Sequence, residues 1–131
     1  MHSGSDNQED WWNLYTAKHY FYHQATFYDV DKDGELDILT CRATKPMFGG
    51  GKGNLTYLVP KDRDDPTGPW VETILNAHCD TFFVIADINN DGKDEIIATE
   101  FWGDRISVIE TSDSSGSFAD PSQLTVSTVD E

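Results

Sequence analysis

Basic residues are scarce in this sequence. Nine lysines and arginines stand against 24 aspartates and glutamates among 131 residues, which gives a formal net charge of −15. A protein this negative repels phosphate backbones and anionic lipid surfaces, and it attracts cations. The charge balance therefore argues against a nucleic-acid partner.

Long apolar runs are also missing. No stretch approaches the roughly 20 apolar residues that a membrane-spanning helix needs, so we expect no membrane insertion. The first residues, from Met1 to Asp6, lack the basic and apolar regions of a signal peptide. We therefore expect that a secreted form has already lost its signal. The 37% of hydrophobic residues are enough to form a core in a chain of this length.

Only two cysteines are present. They are Cys41 and Cys79, which lie 38 residues apart. Two cysteines are too few for a disulfide scaffold or a thiolate zinc site. Two alternatives remain open at this point, namely two buried thiols or one structural disulfide. Asn54 begins the one glycosylation sequon, which favours secretion only weakly.

The sequence does contain an internal repeat. Residues 29–37 and 87–95 are alike, at an offset of 58 (87 minus 29), and the same offset superposes Trp12 on Trp70. We interpret the chain as two copies of one unit. The expected organisation is an N-terminal extension at 1–11, a first repeat at 12–69 and a second repeat at 70–131.

Each copy is predicted to form a β-sheet. Short stretches of β-branched and aromatic residues are bounded by turn formers, and helical spacing is absent. We expect each copy to be a four-stranded antiparallel meander. The predicted strands are 12–17, 22–28, 37–42 and 54–59 in the first copy, then 70–75, 81–86, 95–100 and 105–110 in the second, with a closing strand near 124–129.

Two of these strands, at 82–86 and 96–98, are continuously apolar instead of alternating. This pattern is typical of strands buried on both faces. A stack of small sheets, as in a β-propeller, buries strands in this way. The expected fold class is therefore all-β, with two four-stranded antiparallel propeller-type blades. Because propellers close with about four to eight blades, we expect the remaining blades to come from the same protein or from other subunits.

The repeated segment has the pattern D-x-[DN]-x-D-G-x-x-[DE]. It places oxygen ligands at alternate positions around a tight turn, in which Gly34 or Gly92 adopts an unusual backbone angle. Oxygen ligands suit calcium, and magnesium is the weaker candidate because it prefers more waters. We predict two calcium ions. The predicted ligands are the side chains of Asp29, Asp31, Asp33 and Asp37 with the carbonyl of Glu35 in the first loop, and the side chains of Asp87, Asn89, Asp91 and Glu95 with the carbonyl of Lys93 in the second.

Three alternative loop types fit the sequence less well. An EF-hand needs a glutamate at the twelfth position and helices on both sides, but that position is Thr40 in the first loop and Ala98 in the second. Dockerin-like modules have such loops closer together and flanked by helices. Simple solvated turns would account for one loop, but not for two that recur in register.

An apolar strand, a DxDxDG loop and a second apolar strand together resemble the FG-GAP or VCBS repeat family. The resemblance covers about residues 12–110 and is most specific in the two loops. It implies calcium-bearing propeller blades, as in integrin alpha chains and many secreted proteins. Residues 70–74, followed by His78 and Asp87, are similar to the variant in which an outer strand containing tryptophan leads into the next blade.

The sequence offers only weak catalytic candidates, His78 and Asp80, which form an H-x-D pattern before an inner strand. A structural hydrogen bond is the alternative role for this pair. Our leading hypothesis is a non-catalytic, calcium-stabilised extracellular module that acts in adhesion, assembly or the binding of a glycan or protein. The alternatives are a scaffold part of a secreted carbohydrate-active lyase or hydrolase, or a lectin that stacks sugars on Trp11 and Trp12.

Overall fold

The computed structural model describes residues 20–44, 51–75 and 77–129. Within these ranges the chain forms eight strands, a short 3-10 turn at Pro121–Gln123 and no α-helix. No helix in the described part is long and apolar enough to cross a bilayer. The strands are β1 (Tyr20–Tyr28), β2 (Asp37–Thr44), β3 (Gly53–Pro60), β4 (Trp70–Ile74), β5 (Phe83–Ala86), β6 (Glu95–Glu100), β7 (Arg105–Thr111) and β8 (Leu124–Thr128).

The strands form two four-stranded antiparallel sheets, in the orders β1-β2-β3-β4 and β5-β6-β7-β8. Each strand pairs with the next one along the chain, so both sheets are meanders, and the predicted all-β class with two such sheets is confirmed. The first hairpin contains a bulge, because the register between β1 and β2 shifts at His23, between Tyr22 and Gln24. The strand predicted at 12–17 lies outside the described residues.

The sheets are divided differently from the expected repeats. A repeat boundary at 70 places β4 at the start of the second unit, but Trp70 pairs with Pro60 and Ile74 with Thr56, so this strand closes the first sheet. β8 takes the same place in the second sheet, where Leu124 pairs with Thr111. A sequence offset fixes the period of a repeat but not the strand at which a unit begins, which is decided by strand pairing.

The core lies between the two sheets. Opposite residues of an antiparallel pair lie on the same face, so alternate residues of each sheet point toward the other. Fully burying a large apolar side chain, such as that of leucine or phenylalanine, stabilises the fold by about 1.5–3 kcal/mol. The largest buried side chains of the core are Leu39 and Leu55 from the first sheet, Phe83, Ile96 and Ile109 from the second, and Val30, Leu75 and Phe118 from the connecting segments.

A disulfide joins Cys41, in β2, to Cys79, in the segment before β5. Their Cα atoms lie 5.3 Å apart and both residues are fully buried. Of the two alternatives that the sequence left open, the structure therefore supports the disulfide. It links the first sheet covalently to the segment that precedes the first strand of the second sheet.

The expectation that 82–86 and 96–98 are buried on both faces is wrong for the described part of the chain. Phe83 is 3% exposed, but its neighbours Phe82 and Val84 are 57% and 63% exposed. β6 alternates in the same way, with buried Ile96 and half-buried Ile97. The reason is that only one face of the second sheet packs on the first sheet. The apolar side chains of the other face are therefore exposed to solvent.

Candidate metal centres

The first loop (residues 29–37) connects β1 to β2 in a tight turn. Lys32 and Gly34 have positive φ angles of 63° and 93°. This backbone points successive N–H groups inward, where they bind the loop's own carboxylates. Asp29 accepts hydrogen bonds from the N–H groups of Asp33 at 3.1 Å and Gly34 at 2.9 Å, and Asp31 accepts from the same N–H of Asp33 at 3.1 Å.

The second loop (residues 87–95) connects β5 to β6 and has the same geometry. Asn90 and Gly92 have φ angles of 61° and 90°. Asp87 accepts from the N–H groups of Asp91 at 3.1 Å and Gly92 at 2.9 Å, and Asn89 accepts from Asp91 at 3.0 Å. The sequence repeat is thus also a repeat of backbone conformation and of hydrogen bonding.

The ninth residue of each loop is a buried carboxylate at the start of a strand. Asp37 is 0% exposed and Glu95 is 3% exposed. Asp37 accepts a hydrogen bond from the N–H of Val30 at 3.2 Å, and Glu95 accepts from Ile88 at 2.8 Å. A buried charge needs such partners. Each bond uses one carboxylate oxygen and positions the second one.

In each loop three carboxylates converge. Burial raises the pKa of Asp31, as expected where negative charge is removed from water close to other carboxylates. Oxygen donors at this spacing suit a hard divalent cation, so the side chains present fit a calcium ion. One oxygen from each of Asp29, Asp31 and Asp37 lies within 4.8 Å of the others, and the same holds for Asp87, Asp91 and Glu95.

Asp33 is the predicted side-chain ligand of the first loop that lies outside its converging set. It accepts a hydrogen bond from the N–H of Glu35 at 2.8 Å, and this bond, helped by Arg63, holds the pKa of Asp33 below its usual range. The corresponding Asp91 accepts from the N–H of Lys93 at 2.8 Å and does belong to the converging set. Coordination of an ion stays a prediction for all of these side chains, as it does for Asn89 and for the carbonyls of Glu35 and Lys93.

Arg63 is the residue that sequence reasoning missed. It lies in the β3–β4 connection and donates to the carbonyl of Leu36 at 3.0 Å and to Asp37 at 3.0 Å. A third contact of the same guanidinium reaches Asp33 at 3.5 Å. No sequence motif marks this arginine, which is 26 positions from Asp37 and reaches it only because the β3–β4 hairpin folds back.

The two loops lie close together. The hydroxyl of Tyr28, at the end of β1, donates to Asp94 of the second loop at 2.7 Å and accepts from Lys32 of the first loop at 2.8 Å. Burial and the hydrogen bond to Asp94 raise the pKa of Tyr28, so the phenol keeps the proton that it donates. The N–H of Phe118, in the connection between β7 and β8, donates a hydrogen bond to the carbonyl of Val30 in the first loop at 2.9 Å. The two loops are therefore connected through the hydroxyl of Tyr28.

The two weak catalytic candidates occupy different environments. Asp80 is 3% exposed, and its two oxygens accept from the N–H groups of Phe101 at 2.5 Å and Trp102 at 2.9 Å, at the turn between β6 and β7. His78 is exposed, with its Nδ1 3.4 Å from the carbonyl oxygen of Gly53. This geometry gives Asp80 a structural role, and catalysis by the pair stays a prediction.

Trp11 and Trp12, the predicted sugar-stacking residues, lie outside the described residues. The sequence features of the described part that carry chemistry are therefore the two acidic loops. Comparisons with protein-family models, with curated proteins and with solved structures found no match for this chain.

Proposed function

We propose that this chain is a calcium-stabilised module of an extracellular protein, built from two repeats of the FG-GAP or VCBS type. The observation that carries the proposal is the recurrence of one loop geometry at two places, residues 29–37 and 87–95. Both loops have positive φ angles within 3° of each other at matching positions, matching backbone hydrogen bonds to side-chain oxygens, and three converging carboxylate oxygens. Chance turns would not reproduce all three features.

Calcium is the divalent ion that this donor set favours. Calcium accepts six to eight oxygen ligands in flexible geometry, whereas magnesium demands a near-ideal octahedron and retains several waters. Asp87, Asp91 and Glu95 supply three converging oxygens, and Asn89 adds an amide oxygen nearby. A bound ion would replace repulsion among these carboxylates by attraction, and would thereby stabilise the turn between β5 and β6.

Two arguments favour an extracellular location. For a dissociation constant of about 0.1 mM, about 1 mM extracellular calcium would stabilise each site by roughly 1.4 kcal/mol, whereas submicromolar cytosolic calcium would contribute almost nothing. The disulfide between Cys41 and Cys79 is compatible with an oxidising compartment. We therefore place the proposed role, in adhesion, assembly or ligand binding, outside the cell.

The outward face of the second sheet supports the proposal that these sheets are blades of a larger assembly. Apolar side chains on this face are exposed, and large exposed apolar patches mark surfaces that pack on other elements. We propose that further blades, from the same protein or from another subunit, cover it. The exposed side chains are Phe82 (57%), Val84 (63%), Ile106 (45%) and Val129 (51%).

Calcium titration by calorimetry tests the proposed function. We expect the protein to take up calcium and to melt at a lower temperature after chelation. Asp91→Ala should lower the calcium stoichiometry by one, because it removes an oxygen from the second converging set. Asp64→Ala is the control, since it removes an exposed aspartate outside both loops and should leave the stoichiometry unchanged. No calcium uptake by the unaltered protein would overturn the proposal.

A further inference from the structure

The first loop already holds a cation of its own. The guanidinium of Arg63 contacts it at three points, the carbonyl oxygen of Leu36 and the carboxylates of Asp37 and Asp33, at 3.0, 3.0 and 3.5 Å. Asp37 consequently has both oxygens engaged, one by Val30 and the other by Arg63. The planar fork of arginine suits such multiple contacts.

The second loop has no such cation among the described residues. The offset of 58 that relates the loops carries Arg63 onto Pro121, which cannot replace it. Lys93, a basic residue within the second loop, donates to the carbonyl of Thr111 at 3.1 Å. None of the ion pairs in the described part of the chain involves Asp87, Asp91 or Glu95. Two loops with the same backbone thus differ in how their negative charge is balanced.

We propose that Arg63 is a built-in counter-cation of the first loop and makes the two loops unequal in their need for metal. The guanidinium holds the first loop in shape when no ion is bound, whereas the second loop depends on a bound divalent cation. This inference rests on the proposed function for its calcium-dependent half. The role of Arg63 in the absence of metal does not depend on the proposed function.

Calcium and Arg63 would compete for one carboxylate oxygen of Asp37. A calcium ion that used the Arg63-bound oxygen of Asp37 would have to displace the guanidinium, and this displacement weakens binding in the first loop. The second loop gives up no such contact among the described residues. We therefore expect calcium to fill residues 87–95 before residues 29–37.

Amide hydrogen exchange of the full chain, with chelator and with added calcium, tests the proposal. Arg63→Gln removes the cation, and Lys61→Gln is the matched control because it removes an equal charge from an exposed position in the same connection. In chelator, Arg63→Gln should speed exchange in residues 29–37 by about tenfold or more and leave 87–95 unchanged. Lys61→Gln should change neither loop. Unchanged protection of 29–37 in Arg63→Gln would overturn the proposal.

The calcium arm separates this inference from the proposed function. In the unaltered protein, chelation should reduce the protection of 87–95 more than that of 29–37, and in Arg63→Gln calcium should bind the first loop more tightly. If calcium does protect both loops and chelation reduces their protection equally, the proposal is overturned without any variant. If calcium protects neither loop but Arg63→Gln still loosens 29–37 in chelator, the calcium function fails and the counter-cation role stands.

Discussion

Individual buried polar residues tie the loops of this protein to its sheets. Asp37 and Glu95 differ by one methylene, yet each accepts a hydrogen bond from the N–H seven positions earlier in the chain. A buried carboxylate without a partner would be costly, so these bonds are required at both positions. The ninth residue therefore fixes where each loop meets its strand, and the converging oxygens are positioned relative to the sheet.

Asp80 anchors the turn between β6 and β7 in a similar way. We expect Asp80→Ala to lower the free energy of unfolding by about 1–3 kcal/mol, because it leaves the N–H groups of Phe101 and Trp102 without their acceptor. His78→Ala should change it by less than about 0.5 kcal/mol, because the side chain is exposed. Urea denaturation of both variants measures the two values.

The same pair of variants separates a structural role from a catalytic one. A clear loss of stability in Asp80→Ala, with little or none in His78→Ala, fits the structural role. Turnover on a panel of glycans that disappears in the folded His78→Ala variant would instead support the scaffold of a carbohydrate-active enzyme. If Asp80→Ala is as stable as the unaltered protein, the proposed anchoring role is wrong.

At the scale of elements, one side chain links the two sheets. Gln24, in β1, donates to the carbonyl of Phe83 at 2.9 Å and accepts from its N–H at 2.8 Å. It thereby pairs with the free edge of β5 as a neighbouring strand would. Edge strands carry unpaired backbone groups, and this amide satisfies one residue of that edge.

Replacing this link should loosen the contact between the sheets. Gln24→Met keeps the size of the side chain but leaves the N–H and carbonyl of Phe83 without partners, so we expect a loss of about 1–3 kcal/mol in the free energy of unfolding and faster amide exchange at Phe83. Gln123→Met is the control, because the buried side-chain oxygen of Gln123 has no hydrogen-bond partner in the described ranges. Equal losses in the two variants would contradict the role of Gln24.

Strand positions could be predicted well from the sequence where turn formers bracket an apolar stretch. β6 begins and ends at the predicted residues, Glu95 and Glu100, because an acidic loop precedes it and a turn follows. The assignment of β4 to a sheet could not be predicted, because an offset carries no information on strand pairing. The exposure of Val84 was also missed, since local hydrophobicity does not show how many neighbours cover a face.

The candidate site was predictable only in part. The pattern of aspartates and glycine indicated which residues line each loop, because their spacing dictates the turn. It did not indicate that Asp33 lies outside the converging set, or that Arg63 contacts the first loop. The Arg63 contact depends on a hairpin that brings distant residues together, and a local motif contains no information on such contacts.

At the scale of the whole molecule, the two sheets share one core, and the two acidic loops are linked through Tyr28. The hydrogen bond from Tyr28 to Asp94 joins the first sheet to the second loop, and Phe118 joins the following connection to Val30. A cation in the second loop would therefore stabilise the contact between the sheets as well as its own turn. This arrangement explains how two small sheets act as one unit.

The disulfide is the covalent part of that unit. Cys41 and Cys79 close a loop with a sequence separation of 38, and in the chain-entropy treatment a loop of this length stabilises the fold by about 4 kcal/mol. The effect arises because the cross-link reduces the conformational entropy of the unfolded chain, in which the two cysteines would otherwise be far apart. We therefore expect the Cys41→Ala, Cys79→Ala double variant to unfold at clearly lower denaturant concentration.

Equilibrium denaturation of the double variant, beside the unaltered protein with and without reductant, measures this contribution. The reduced protein should approach the double variant, because both lack the cross-link and both keep small side chains in the core. A loss below about 1 kcal/mol would mean that noncovalent packing between the sheets already restricts the chain, and that the disulfide adds little to the stability of the pair.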